Sequence, residues 1–263
     1  MSDELIAVRR EMPLGWVIVN RPAMRNAMNA GMWHALGVAV QSLVDDADVR
    51  VILLTGAGEQ AFIAGADIAE LKAQTENAEL IETNIRESLT GLRAITAAPK
   101  PVIAMINGAC FGGGVLIAAT CDLRFASAIA QFGIPAGKLG LAYPFDEGVV
   151  RLVNLIGPAN AADVLLSGRA FDAEEARQMG LVNRVLLPGE LEAYTREYAL
   201  KLAATAPLSL AAHKLAIQQA QVSDAGRNRA ACLAAIQLCY ESADHREGLQ
   251  AFLEKRAPRF QGR

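Results

Sequence analysis

Residues Pro101 to Asp122, PVIAMINGACFGGGVLIAATCD, constrain this chain more than any other stretch. Val102-Ile103-Ala104-Met105-Ile106 reads as a strand buried on both faces, because no polar residue interrupts it. Asn107-Gly108 breaks that strand, three consecutive glycines follow (Gly112 to Gly114), and Val115 to Cys121 reads as a short apolar helix. The whole run is long enough to nominate a membrane-spanning helix, but its two interruptions leave pieces too short to cross. Glycine at a helix head lets backbone N–H groups sit against something bulky, since no Cβ intervenes. Those first N–H groups have no partner within the helix, and the aligned peptide dipoles make that end slightly positive. Such an end holds negative charge, either standing, as on a phosphate, or developing, as on an oxyanion. Tight helix–sheet packing uses the same glycines, and both readings stay open at this point.

The remaining pattern places this stretch inside an α/β chain. Leu5 to Val8 and Trp16 to Val19 predict a strand pair turning at Pro13 and Gly15. Asn29 is placed to cap a helix with Met32, Leu36, Val40, Leu43 and Val44 on one face, while His34 falls off that stripe towards solvent. Val51 to Thr55 is a second buried strand. Gly56-Ala57-Gly58-Glu59-Gln60-Ala61 matches a dinucleotide fingerprint on paper, with Glu76 at the expected distance. The context opposes that reading: the fingerprint helix would run through Phe62-Ile63-Ala64-Gly65-Ala66, so a loop of small residues under close backbone contact is expected instead. Asp67 is placed to cap a short helix from Ile68, and Glu79 to Ile95 predicts an amphipathic helix with Leu80, Ile85, Leu89 and Leu92 inward. Two short strands (Asp122 to Ala126, Ala130 to Gly133), a loop to Glu147, helices on either side of Gly157-Pro158, a helix capped by Asp172 and a strand to Leu186 follow. Beyond Pro188 everything reads as helix. The division expected is an α/β core over residues 1–188 and a helical region over 189–263.

Composition closes off some classes. The net charge of −3 gives no electrostatic basis for a nucleic-acid partner. Cys110, Cys121, Cys232 and Cys239 lack metal-ligand spacing and the three histidines form no cluster, so no metal site is expected. The thiols read as reduced and buried, as in a cytoplasmic protein. The N-terminus, MSDELIAVRR, has no apolar core and does not read as a signal peptide.

Seven motifs, in order, resemble the enoyl-CoA hydratase/isomerase (crotonase) superfamily: NRPAMRNAMN from Asn20, AFIAGADI from Ala61, INGACFGGG from Ile106, CDLRFAS from Cys121, AQFGIP from Ala130, SGRAFDAEEARQMGLVNRV from Ser167, and EGLQAFLEKRAPRF from Glu247. The resemblance implies a crotonase-like spiral of ββα units with two roughly perpendicular sheets. It also implies a C-terminal helical oligomerisation region that builds homotrimers, often paired into hexamers. The substrate implied is an acyl-CoA thioester, with coenzyme A a part of the substrate rather than a separate cofactor. Its carbonyl oxygen would accept two backbone N–H bonds, which by motif position fall on Ala66 and Gly113. Family positions around the coenzyme A arm map to Arg25, Ala27, Ala64, Asp67 and Ile68. Leu116 and Pro135 are further substrate-binding positions that the resemblance implies, and Phe252 and Lys255 lie in the tail motif, where a subunit contact would bring them to coenzyme A.

One departure changes the expected chemistry. Family hydratases carry two glutamates, three residues after the oxyanion glycine and directly after the proline of AQFGxP. Here those positions are Leu116 and Ala136, and neither moves a proton. Carboxylates follow instead at Asp146 and Glu147, where family members with isomerase or hydrolase chemistry carry an acid; a helix cap would use the same pair. Tyr143 and Lys138 are further candidates. A pocket of Leu116, Phe132, Leu141 and Phe145 is expected around the acid. Isomerisation, hydrolysis or decarboxylation is favoured over hydration, and a catalytically silent acyl-CoA-binding paralogue is the alternative.

Overall fold

The computed structural model describes residues 4–263, so Met1 to Asp3, the start of the N-terminal stretch read above, lie outside it. Two sheets are woven by one repeating step. The six-stranded sheet has the order β1 (Ile6–Glu11), β2 (Leu14–Val19), β3 (Val51–Gly56), β5 (Val102–Ile106), β7 (Leu123–Ser127), β10 (Arg184–Leu186). The four-stranded sheet has the order β4 (Ala61–Ile63), β6 (Ala109–Phe111), β8 (Gln131–Gly133), β9 (Ala170–Asp172). Each of β3, β5 and β7 is followed directly by its counterpart β4, β6 or β8 in the second sheet, and both series advance in parallel. After β4 come α2 (Ile68–Gln74) and α3 (Ala78–Ala97), and after β6 comes α4 (Gly113–Thr120). This is the crotonase-like ββα spiral, with β1–β2 and β8–β9 the antiparallel pairs.

The continuous apolar strands are explained by cover on both faces. Along β3, Ile52 and Leu54 join the main core, while Val51 and Leu53 face a second cluster. Along β5, Val102, Ala104 and Ile106 take the first side, Ile103 and Met105 the second. Alternate side chains of a strand leave opposite faces, so a strand covered twice must be apolar throughout. The first face is covered by α1 (Ala30–Val44), α3 and α4. The second is covered by α7 (Leu191–Ala203), whose Tyr194 and Tyr198 meet Phe125 edge-on at 5.2 and 5.1 Å between ring centroids. Thus α7, grouped with the helical region by sequence, is a wall of the core. The helices that project further are α8 (Pro207–Ala220), α9 (Arg229–Glu241) and α10 (Ala243–Glu254). Lys214 of α8 anchors them: its Nζ donates at 2.7 Å to Asp122, which also accepts the Val102 N–H at 2.7 Å.

Gly56 to Ala61 is the expected close-packed loop into β4, where a Cβ on Gly56 would meet the Ala61 and Phe62 carbonyl oxygens at 2.2 and 2.4 Å. Several other local expectations are corrected by packing. Leu80 and Ile85 are exposed rather than inward, and only Gly91, Leu92 and Ile95 of α3 are buried. Phe132 lies in the core stacked on Phe171, and Phe145 is 78% exposed, so neither walls an acid. Cys110 and Cys121 are buried, and burial pushes the Cys121 thiol up to about 12; Cys232 and Cys239 are only half-buried. Asn29, Asp67 and Asp172 cap α1, α2 and α6 (Ala173–Gln178) as their positions predicted. The apolar stretch Phe145–Ser167 breaks at Gly157 (φ 77°, ψ 161°) and buries Leu152, Ile156, Ala161 and Val164 in the core.

Candidate active site

A cavity of about 140 Å³ opens between α2, α3, the head of α4 and the segment Leu141–Gly148. Ala66, Gly113, Leu116, Tyr143 and Asp146 all line it, which brings together residues from three separated segments of the chain.

The Ala66 backbone is aimed by a ladder. Ala64 donates its N–H to the Arg25 carbonyl at 3.1 Å, Met28 to Gly65 at 2.8 Å, and Asp67 to Met28 at 2.8 Å. Met28 and Ala66 therefore form a parallel bridge that uses the polar groups of Gly65 and Asp67. Ala66's own N–H faces the other side of this ladder, as parallel pairing requires, and no described residue accepts it. Gly65 at φ 112° makes the bend, a conformation suited to glycine. The same ladder gathers the sequence-predicted positions Arg25, Ala27, Ala64, Asp67 and Ile68 into one patch. Within it Ala27 packs into the core, whereas Arg25 and Ile68 are exposed.

Asp67 is occupied structurally. Arg21 donates to its carboxylate at 2.5 Å, and the Ala69 and Glu70 N–H groups donate at 2.8 and 3.2 Å. The Arg21 hydrogen bond, opposed by burial, leaves the Asp67 carboxyl below its ordinary value. Its side chain caps α2 and fixes Ala66 from behind. Asn26, missed in the sequence, completes this frame: its buried amide donates to the Ala57 and Ala61 carbonyls at 3.0 and 2.7 Å and accepts the Arg21 N–H at 3.0 Å. Its φ of 60° accounts for the residue type, since asparagine tolerates the left-handed region that this tight loop needs.

Gly113 is the first residue of α4, and its N–H likewise has no partner among the described residues. All three glycines are under constraint. Gly112 takes φ 56°, and a Cβ there would meet the Tyr143 hydroxyl at 2.9 Å. A Cβ on Gly113 would press on Trp33 at 2.9 Å, and one on Gly114 would meet the Ile63 carbonyl oxygen at 2.6 Å. Both readings of the glycine run therefore hold together: the packing is tight and the helix head faces a cavity. At the other end of α4, the buried Arg124 donates to the Cys121 and Leu181 carbonyls at 2.5 and 2.7 Å, a cation at the helix's negative end.

The two acids diverge. Asp146 (ψ 159°) lines the cavity. Glu147 adopts φ 52°, ψ −93°, and its carboxylate accepts from Arg93 Nε at 3.4 Å and Thr96 Oγ1 at 3.5 Å, towards the end of α3. Neither is a first-turn acid of the next helix, because α5 (Val150–Ala162) begins later. Burial pushes the Tyr143 hydroxyl up to about 12, so it stays protonated at neutral pH. Leu116 is a wall of the cavity, while Ala136 packs against the core from the turn Pro135–Leu139; neither Pro135 nor Lys138 lines the cavity. Phe252 and Lys255 sit at the end of α10, with Phe252 82% exposed, and do not reach the cavity of their own chain.

The profile of the family described as enoyl-CoA hydratase/isomerase matches residues 11–263. The chain belongs to that family. It is 35% identical over 262 residues to the crotonyl-CoA hydratase of Syntrophomonas wolfei, with 99% of each chain covered. It is 38% identical over 265 residues to the carnitinyl-CoA dehydratase of Salmonella typhi, covering 99% of this chain and 100% of that one. Among solved structures, an enoyl-CoA hydratase/carnitine racemase of Magnetospirillum magneticum superposes with a TM-score of 0.94 at 35% identity, covering 100% of this chain and 97% of that one. As a member of this family, the chain is an acyl-CoA enzyme of the hydratase/isomerase class.

Proposed function

We propose that the cavity holds the acyl group of a coenzyme A thioester whose carbonyl oxygen accepts the Ala66 and Gly113 N–H groups. The observation that carries this reading is the convergence of two unpartnered backbone donors on one cavity that also contains a carboxylate. Negative charge developing on the thioester oxygen, as an enolate or a tetrahedral oxyanion, is stabilised by donors already in place. Asp146 is the carboxylic acid that lines the cavity, so the proton transfer is that of a single base. In the simplest case it takes a proton from the carbon next to the thioester, the electrons pass into the enolate, and the same carboxyl returns the proton elsewhere on the chain. Isomerisation fits this best, with hydrolysis and decarboxylation as the neighbouring chemistries. Water addition by a carboxylate pair is disfavoured, because Leu116 and Ala136 stand where the glutamates would be. The same two apolar residues support the second reading, a catalytically silent acyl-CoA-binding protein.

A turnover screen over thioester classes separates these readings. Product from a 3-enoyl-, 3-oxoacyl- or carboxyacyl-CoA supports the enzyme, whereas saturable binding of every ester without product supports the binder. Hydration of crotonyl-CoA is expected to be negligible; loss of the conjugated-thioester absorbance with a kcat of about 10 s⁻¹ or more overturns the single-base reading.

The assembly proposed is a homotrimer or a hexamer. Leu233, Ile236, Leu238 and Tyr240 of α9, with Leu249, Phe252 and Leu253 of α10, are exposed, apolar side chains of the kind that subunit contacts cover. Light scattering is expected to give three or six times the 27.9 kDa chain mass; a monomer at micromolar concentration overturns it.

A further inference from the structure

The far wall of the cavity is not purely apolar. Gln74 is the one buried residue of α2, 8% exposed, and it lines the cavity. Its side-chain amide makes no hydrogen bond to any described residue. Asn84 and Ser88, one helical turn apart on α3, line the same cavity among Ile81, Ile85, Leu89 and Leu92. The Asn84 amide is likewise unpartnered, and Ser88 donates its hydroxyl to the Ile85 carbonyl at 2.8 Å, leaving its oxygen to accept. Glutamines as enclosed as this one are ordinarily paired, and the Gln74 amide opens onto the cavity instead of being sealed in protein. An unpaired one facing a cavity therefore points to a ligand group that pairs it.

Resting on the acyl-CoA reading above, we infer that the acyl chain taken by this site carries a neutral hydrogen-bonding group, a hydroxyl or a carbonyl, near its distal end, and that Gln74 with Asn84 recognises it. Position along the chain follows from α2: Gln74 is its last residue, about 9 Å along the helix axis from Ile68, so its amide addresses the end of the acyl group remote from the thioester. Size follows from the cavity, whose volume of about 140 Å³ is close to that of cavities known to take a benzene-sized guest. Neutrality follows from the lining. No lysine, arginine or histidine faces the cavity, so a second carboxylate on the acyl chain would be buried beside Asp146 without a counter-charge. Amide and serine groups together offer donors and acceptors to a hydroxyl or a carbonyl alike.

The test is binding rather than turnover, so it does not depend on which reaction follows. Titration calorimetry compares 4-hydroxybutanoyl-, 5-hydroxypentanoyl- and 6-hydroxyhexanoyl-CoA with butanoyl-, pentanoyl- and hexanoyl-CoA. At least one hydroxyacyl ester is expected to bind about 10-fold or more tightly than its parent, because a site that pairs a substrate hydroxyl rejects the analogue lacking it. Gln74→Leu is expected to bring that ratio to near one and to tighten binding of the plain ester; Gln74→Met is the second variant should the first not fold. Wild-type protein that binds all the esters with no preference for the hydroxyl overturns this inference alone, as does an unchanged ratio in a folded Gln74 variant. Failure of every ester to bind overturns the acyl-CoA reading and this inference with it.

Discussion

Gly113→Pro, compared with Gly113→Ala in a shared Trp33→Phe background, is expected to lower turnover about 10²–10³-fold. The background matters because any Cβ at position 113 would meet Trp33 Cζ2 at 2.9 Å and Cη2 at 3.3 Å. Phenylalanine removes those outer ring atoms, so the alanine and proline variants differ mainly in the backbone N–H. Proline is tolerated at the first position of a helix, where the N–H has no helical partner in any case. The lost donor is therefore a loss to the substrate and not to α4. Thermal melts establish that both variants fold, and a saturated acyl-CoA reports ground-state affinity. Equal turnover in two folded variants would show that the Gly113 N–H contributes nothing to the reaction and would remove half of the proposed oxyanion site.

The second large effect is expected at Asp146. In single-turnover experiments Asp146→Asn should lose about 10²-fold or more while acyl-CoA affinity holds, since asparagine preserves the shape of the cavity wall. Glu147→Gln should lose far less. Its carboxylate is held by Arg93 and Thr96, and its φ of 52° turns the chain so that adjacent acids leave in different directions. A residue other than glycine held there stores strain of about 1–3 kcal/mol, which the surrounding fold sustains while presenting Asp146 to the cavity. Full activity in Asp146→Asn would move the proton transfer to another group, with Tyr143 the next to test because its hydroxyl is buried and lines the same cavity.

What the sequence by itself determined is what local chemistry or unbroken pattern determines. The apolar runs of β3 and β5 require cover on both faces, and they have it. Asn29, Asp67 and Asp172 cap the helices they precede, because a short oxygen-bearing side chain reaches N–H groups two or three residues ahead wherever the chain ends up. The glycine run marked a helix head under close approach, and the motifs carried the family. Tertiary structure decided the rest. The direction of the Ala66 N–H depends on pairing with Met28, far away in sequence, and nothing in Ala61 to Ile68 alone sets it. The choice between Asp146 and Glu147 depends on one positive φ and on where Arg93 lies. The stripe on α3 reads the same whether it faces a core or a cavity, so periodicity points Ile85 inward while the fold places it on the cavity wall. Periodicity records which face is apolar; only the packed chain determines whether that face meets other side chains or the wall of a cavity.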